Sequence, residues 1–258
     1  MAKINVRKYY KENARLYRNL HIDMRIILTK LFDKYSDRAS REYLKNLRIS
    51  SEFYQDFWSE LYKKLFNNTT KIEVSINDMI KRIREEQKQD VIDDAYREGI
   101  LAQNVTQITE TTRKEVQKAI ELGISEGIAI GEIATQIQKN KAFSRARAKT
   151  IARTETHTAM NSYLIRNAKS STLKNPKKQW LSAMDERSRD WHKAMNNRQV
   201  DINEDYVVNT PIAGGQIVPK YMNFVGDPKG GASNVINCRC FQLIVDERDE
   251  LLGDFEND

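Results

Sequence analysis

Cys238 and Cys240 are the two cysteines of the chain, and they stand one residue apart. An apolar run over 241–245 follows them, which predicts a strand over 237–245. Because alternate side chains of a strand point to the same face, both sulfurs should lie on one side and Arg239 on the other. Such neighbouring positions do not supply the geometry of a disulfide bond, so we expect two reduced thiols.

Two thiols on one face have two interpretations. They are small core residues if they pack like buried hydrophobic side chains, as free cysteines commonly do. They are half of a zinc site if His192 and one further residue complete the ligand set, since thiolate and imidazole ligands favour zinc. The candidates for the fourth ligand are Asp185 and His157. With Glu186 as a general base, these ligands would form a zinc-dependent hydrolase, which is the enzymatic alternative.

Most of the chain before residue 170 is predicted to be helical, because apolar side chains recur every three or four positions. The clearest helix covers 51–66, where Ser50 or Ser51 can cap the N-terminus. Its apolar side chains at four-residue spacing should form a core face, and a polar segment at 67–70 should interrupt the helix. These apolar side chains are Phe53, Phe57, Leu61 and Leu65. The other helices expected in this region cover 5–35, 74–102, 105–123 and 131–139.

A further helix is predicted after Ser144, whose hydroxyl is a good N-cap. Its face of small residues at 148, 152 and 159 includes Glu155, and a carboxylate on a packing face needs a partner. Arg187 and Arg239 are the natural partners for Glu155, and such a pair would tie this helix to the C-terminal part of the chain. The predicted structural polar cluster comprises Arg153, Glu155, Asp185, Arg187 and Arg239.

A hinge loop is predicted at 169–178. After this loop the composition changes: glycine, proline and tryptophan become frequent, and the helical period ends. Strands are expected at 179–184 and 237–245, a short helix at 188–194, and turns with short strands between 205 and 230. The fold class is therefore α+β: a mostly helical N-terminal region followed by a small C-terminal α+β domain. The expected divisions are 1–104, 105–170, 171–246 and an acidic tail at 247–258.

The net charge of +7 is unevenly distributed along the chain. Residues 1–50 carry 13 Lys and Arg against 5 Asp and Glu, and residues 141–180 carry 10 against 1. Two basic blocks in an otherwise acidic chain indicate a polyanionic partner, for which double-stranded DNA is the main candidate, or else two solvated helix faces. The predicted DNA-binding residues are Arg145, Arg147, Lys149, Lys177 and Lys178.

Several classes of protein are disfavoured. No stretch approaches the roughly 20 apolar residues of a membrane span, and the N-terminus lacks the apolar core of a signal peptide. There is no G-x-S-x-G motif, P-loop, H-E-x-x-H motif or Rossmann glycine run. An ADP-ribosylating transferase would need an arginine on one strand and a Glu-x-Glu pair on another, but Glu155 lies on a predicted helix and the residue two positions after it is His157. We therefore expect a protein that is not an enzyme.

Four motifs occur in an order and spacing that are specific in combination. They are Ile-Ala-Arg-Thr-Glu at 151–155, Trp180 leading to Asp-Glu-Arg at 185–187 and His192, Phe-Val-Gly-Asp-Pro at 224–228, and Ile-Asn-Cys-Arg-Cys at 236–240. Over about residues 105–245 the chain closely resembles the head-morphogenesis family of tailed phages, the Mu F-like minor head proteins. One departure is the segment 196–199, which lacks the glycine expected in its turn.

The resemblance implies a minor structural protein of the phage head that is present in few copies at the portal vertex. Its implied roles are in head assembly and in the packaging or ejection of DNA. The implied partners are the portal protein, capsid or scaffolding proteins and double-stranded DNA, with no membrane. The implied location is the virion, in the head interior or at the portal vertex, and the host cytoplasm during assembly. The family supplies no catalytic mechanism.

Overall fold

The computed structural model describes residues 3–84 and 97–252, and five long helices dominate the first two thirds of this part of the chain. A π-helical turn at Arg97–Leu101 precedes the third of them. The helices are α1 (Val6–Asn46), α2 (Ser51–Arg84), α3 (Ala102–Ser125), α4 (Ile130–Gln138) and α5 (Arg145–Ser170). No helix of these residues has a stretch long and apolar enough to cross a membrane.

The rest of the described chain consists of short strands and short helices. The strands are β1 (Lys3–Asn5), β2 (Lys177–Leu181), β3 (Gln199–Asp201), β4 (Tyr206–Pro211), β5 (Ile217–Met222), β6 (Phe241–Val245) and β7 (Glu250–Leu252). The short helices are α6 (Asp190–Lys193) and α7 (Ala232–Val235). A helical N-terminal region followed by small strands confirms the predicted α+β class.

The strands form three separate pairings. A three-stranded antiparallel sheet has the order β3-β2-β6, β4 and β5 form a hairpin, and β1 pairs with β7 in parallel. The β7 strand places part of the predicted acidic tail in a sheet, whereas 253–258 lie outside the described residues.

The chain folds into two compact units, and neither is continuous in sequence. The first, here called the helical unit, contains the described residues of 22–68 and 97–153. The second, here called the mixed unit, contains those of 3–21, 69–84 and 154–252. The helices α1, α2 and α5 each contribute residues to both units.

The core of the helical unit is apolar and rich in aromatic rings. All four side chains of the predicted α2 face are buried. The ring of Phe57 lies 5.0 Å from that of Tyr35, 5.9 Å from Phe32 and 6.4 Å from Phe143. Ser50 caps α2, because its hydroxyl accepts the backbone N–H of Phe53 at 3.2 Å. The predicted core face of this helix is therefore confirmed.

The predicted interruption of α2 at 67–70 is wrong. This segment continues the helix, and Asn68 and Thr69 are buried within it. Weak helix propensity was overridden by tertiary packing, which is a common outcome for polar residues inside a long helix. A helix was also predicted over 74–102. Its first part belongs to α2, which ends at Arg84, and residues 85–96 of it lie outside the described residues.

The start of α5 is as predicted. The hydroxyl of Ser144 accepts the backbone N–H of Arg147 at 3.2 Å, as an N-cap does. The side chains of Ala148, Ala152 and Ala159 are buried, which agrees with the predicted face of small residues.

Both predicted strands of the C-terminal region are shorter than expected. The strand predicted over 179–184 ends at Leu181, and Met184 beyond it has a φ of 54°. The strand predicted over 237–245 begins only at Phe241, because Asn237 adopts a φ of 56° and directs the chain through a turn. The cysteines therefore lie just before β6 rather than on it.

Candidate metal centre

Three side chains with metal-binding atoms converge inside the mixed unit. They are His192 on α6 and the two cysteines that precede β6, and each is at most 2% exposed. Each of the two sulfurs lies 3.6 Å from Nδ1 of His192, and all three atoms lie within 4.8 Å of one another. Both cysteines are free thiols, and both face the same side while Arg239 between them does not. The structure thus brings together the three predicted ligands.

The tautomer of His192 follows from the hydrogen bonds of Asn234. The amide nitrogen of Asn234 donates to Thr210 Oγ1 at 2.8 Å and to the carbonyl of Gly230 at 2.9 Å, so its Oδ1 faces the other way. This oxygen accepts the indole N–H of Trp191 at 2.8 Å, and an indole can only donate. His192 Nε2, at 3.1 Å from the same oxygen, must therefore carry a proton. In the neutral ring, Nδ1 then presents its lone pair to the two sulfurs.

The electrostatics of the pair distinguish the two thiols. Burial opposes ionisation of Cys240, but its polar contacts with Cys238 and His192 outweigh burial and lower the pKa of Cys240 well below its ordinary value. The hydrogen bond with Cys240, together with burial, raises the pKa of Cys238. One thiolate is therefore stabilised inside the cluster, and the thiolate is the form in which cysteine binds a metal.

Neither predicted fourth ligand joins this cluster. Both carboxylate oxygens of Asp185 accept hydrogen bonds from the guanidinium of Arg239, in a bidentate ion pair. Nε2 of His157 pairs with the carbonyl oxygen of Cys240 instead of approaching its sulfur. The polar side chain that does approach is Ser182, whose hydroxyl oxygen lies 3.8 Å from Cys240 Sγ and is buried. The predictions of Asp185 and His157 as ligands are therefore wrong.

The burial of the cluster decides between structural and catalytic chemistry. A catalytic zinc keeps one position open to substrate, whereas a structural zinc is enclosed by its ligands. The three side chains are almost inaccessible, and Glu186, the base of the hydrolase interpretation, is exposed on a turn. The geometry therefore suits a structural ion.

One face of α5 holds the backbone around the cysteines through polar side chains. Thr154 Oγ1 accepts the N–H of Asn237 at 3.3 Å, which positions the turn before the first cysteine. Asn161 Oδ1 accepts the N–H of Gln242 at 3.2 Å, just after the second. Between them on the same face lies His157, which is fully buried and pairs with the Cys240 carbonyl. The spacing of three and four residues is the sequence signal for this face, but its contacts with the backbone around the cysteines could not be predicted from that spacing.

The turn at 224–228 packs against the same helix. Gly226 has a φ of +87°, and a Cβ atom there would lie 2.6 Å from Nδ1 of His157, so only glycine fits without strain. The carboxylate of Asp227 accepts the N–H groups of Asn223 at 2.8 Å and Lys229 at 3.0 Å and so fixes the turn. Burial lowers the pKa of His157, which keeps its ring neutral against this glycine.

The predicted polar cluster is present in part. Asp185 pairs with Arg239. Partial burial raises the pKa of the Asp185 carboxyl, but the guanidinium of Arg239 outweighs burial and holds this pKa below its ordinary value. Glu155 lies half-buried on α5, and Arg187 is exposed in the turn after Asp185. Arg153, also half-buried on α5, belongs to the helical unit. The pairing of Glu155 with an arginine stays a prediction.

Arg147 is not an exposed DNA-binding residue. Its guanidinium donates to the carbonyl oxygens of Ala142 at 2.6 Å and Ile108 at 3.0 Å and to Thr112 Oγ1 at 2.8 Å. Burial lowers the pKa of this guanidinium. Arg147 thus serves to hold α3 and the start of α5 together in the helical unit, and its assignment to DNA binding is wrong.

Lys178 is likewise buried, with no exposed surface. Its ammonium group donates to the carbonyl oxygens of Asn223 at 2.5 Å and Ile202 at 3.4 Å, and desolvation by burial lowers its pKa to about 8. Since it cannot reach a phosphate, its predicted role in DNA binding is also wrong. Arg145, Lys149 and Lys177 are exposed, as a DNA contact requires.

Exposed basic side chains are concentrated in the first turns of α1, which belong to the mixed unit. Five basic side chains within 7–18 are exposed, and Glu12 is the one acid of this stretch of sequence. They are Arg7, Lys8, Lys11, Arg15 and Arg18. Most of them recur at four-residue spacing and so share a side of the helix, which we call the basic stripe.

Comparison with known proteins identifies relatives of this chain. The family model described as phage Mu protein F like protein matches residues 114–243. Minor head protein GP7 of Bacillus phage SPP1 is 26% identical over 161 residues, which are 60% of this chain and 49% of that protein. The NAD(+)--arginine ADP-ribosyltransferase EFV of Enterococcus faecalis (strain ATCC 700802 / V583) is 31% identical over 148 residues, which are 56% of this chain and 26% of that protein. No solved structure matches significantly.

The chain therefore aligns with about half the length of GP7 and about a quarter of EFV. The family match includes the four motifs, with the cysteines, His192 and the polar face of α5. In this chain Glu155 lies on a helix and the residue two positions after it is His157, so the Glu-x-Glu pair of an ADP-ribosylating site is not formed there.

Proposed function

Because this chain belongs to the phage Mu protein F like family of minor head proteins, we propose that it acts at the portal vertex of the phage head. In this proposal it binds the portal protein and capsid or scaffolding proteins during assembly in the host cytoplasm. It remains in the virion and contacts double-stranded DNA without sequence specificity as the DNA is packaged or ejected. The similarity to GP7, a minor head protein, supports the head assignment.

The observation that carries the DNA contact is the basic stripe. Its charges extend over residues 7–18, which at 1.5 Å per residue is about 17 Å of helix. Double-stranded DNA carries one negative charge per roughly 1.7 Å of its axis, so several phosphates face a stripe of this length. The stripe offers side-chain charges without any base-reading motif, and phosphate contacts carry no sequence information.

Arg145, Lys149 and Lys177 extend the proposal to the second basic block. All three are exposed, and Arg145 and Lys149 lie one turn apart at the start of α5. No observation favours the alternative of a metal-dependent enzyme acting on nucleic acid. A nuclease assay of the purified protein with added zinc should accordingly show no cleavage.

The test replaces Lys8, Lys11 and Arg15 by glutamine in the full chain. We expect weaker binding to duplex DNA, with the slope of log affinity against log salt reduced by about 0.9 for each phosphate that the variant no longer neutralises. Titration of a fluorescent duplex at several salt concentrations measures this slope, and two unrelated duplex sequences should give the same affinity.

The matched control replaces Lys63, Lys114 and Lys118 by glutamine. All three lysines are exposed, and their replacement removes the same charge as the stripe variant. It should keep the salt slope of the unmodified chain. If both triple variants lose affinity equally, DNA binding reflects net charge and the stripe is not a site. If the stripe variant binds DNA normally but no longer co-purifies with the portal protein, the stripe faces an acidic protein surface and the proposed DNA contact is wrong.

A further inference from the structure

We propose that His192, Cys238 and Cys240 bind one zinc ion that stabilises the mixed unit, with the hydroxyl of Ser182 at the fourth position. This inference does not depend on the proposed function in the phage head.

The first argument is the spacing of the ligand atoms. Tetrahedral zinc holds sulfur at about 2.3 Å and nitrogen at about 2.0–2.1 Å, which separates the two ligand atoms by about 3.6 Å. Both sulfur-to-Nδ1 distances in this structure are 3.6 Å. The lone pair of Nδ1 can accept one thiol proton, so hydrogen bonding alone does not explain why two sulfurs approach it at equal distance. An ion placed on that lone pair explains both.

The second argument is charge. Two thiolates and one neutral imidazole carry two negative charges, which balance one Zn²⁺ ion. A balanced site avoids the high cost of an unpaired charge inside a protein. Asn234, which accepts the N–H of His192 on the side away from the sulfurs, and Trp191, which donates to Asn234, are both uncharged.

The third argument is the support around His192. A metal-binding imidazole commonly donates its second N–H to an acceptor that fixes the ring and its tautomer. Asn234 Oδ1 performs this role at 3.1 Å and is itself held by Trp191, Thr210 and Gly230. The lone pair is thus directed at the sulfurs before any ion binds.

The consequence is a crosslink between three segments of the mixed unit. His192 lies on α6, the cysteines precede β6, and Ser182 follows β2. These segments contain little regular structure of their own. A structural zinc supplies binding energy to the folded state alone, which stabilises small regions of this kind.

The experiment measures metal in the full chain, purified without chelator and then dialysed against zinc. We expect one zinc per chain by elemental analysis and a lower thermal unfolding midpoint after chelation. Substitution by Co²⁺ should give the charge-transfer absorption of thiolate ligands. A folded chain that retains no zinc, unfolds at the same temperature with and without chelator and gives no thiolate–cobalt absorption would overturn the proposal.

Two histidine variants provide the matched comparison, since both side chains are buried in the mixed unit. His192→Gln should lower zinc affinity at least 100-fold, whereas His157→Gln should keep one zinc per chain. Full zinc affinity in folded His192→Gln would contradict the site.

A gain-of-function variant keeps the test valid if the histidine variants fail to fold. Ser182→Cys offers a third thiolate, so zinc affinity should rise at least tenfold and the cobalt charge-transfer absorption should increase. An affinity no higher than that of the unmodified chain would show that Ser182 is not at the fourth position.

Discussion

The two compact units are stabilised by different chemistry. The helical unit has an apolar core in which aromatic rings of α1, α2 and the segment before α5 meet edge to face. The mixed unit contains 18 of the 22 buried polar or charged residues in the described part of the chain. Many of these side chains bind backbone groups of irregular segments. Short strands and turns leave N–H and C=O groups unpaired, and the polar side chains satisfy them.

This difference determines how each unit should respond to substitution. An apolar core loses stability in proportion to the buried volume that is removed. A core built on polar contacts is sensitive to single atoms, because one unsatisfied buried group costs about as much as several methylenes. Three substitutions, each with a matched control, test this contrast.

The largest effect is expected from Phe57→Ala in the helical unit. The ring is fully buried among three other aromatic rings, so its removal should lower the free energy of unfolding by about 3–5 kcal/mol. Leu44→Ala is the control, since its side chain is 51% exposed, and it should cost well under about 1 kcal/mol. Denaturant titrations measure both. A loss for Phe57→Ala as small as the control's would contradict the apolar description of this core.

A pair of glycines separates backbone strain from close packing in the mixed unit. Gly226 and Gly214 have φ values of +87° and +85°, but an added Cβ meets His157 at 2.6 Å only at Gly226. Gly214→Ala should cost about 1–2 kcal/mol of strain. Gly226→Ala should cost roughly 1–3 kcal/mol more, because the buried ring must move. Equal losses of unfolding free energy would show that the contact with α5 does not contribute.

The smallest of the three effects is expected from Asn161→Leu, which preserves the volume of the side chain but not its hydrogen bonds. The buried N–H of Gln242 would lose its acceptor, and the unfolding free energy should fall by about 1–3 kcal/mol. Gln117→Leu, on the exposed surface of α3, is the control and should be nearly neutral. If the two variants are equally stable, the polar face of α5 does not hold β6, and the contrast between the units fails.

The fold could be predicted where it depends on local properties of the chain, in either unit, and not where it depends on residues distant in sequence. The α2 core face and both helix caps were predicted because hydrophobic period and capping chemistry are local properties of the chain. The continuation of α2 through 67–70 was not, since the burial of Asn68 and Thr69 depends on residues distant in sequence. Arg147 and Lys178 were assigned to DNA because their charge is visible in the sequence while their buried carbonyl partners are not.

The sequence by itself identified the three converging residues of the candidate metal site, because few residue types bind zinc and a single residue separates the two cysteines. It also determined the α+β class and the family resemblance, which rest on periodicity and on motif order. Only the tertiary structure decided that Asp185 belongs to Arg239 and that Ser182 lies beside the thiols. It also showed how Trp191 and Asn234 orient the imidazole of His192. Hydrogen-bond partners are selected by distance and direction in space, and residues separated by tens of positions acquire these only when the chain has folded.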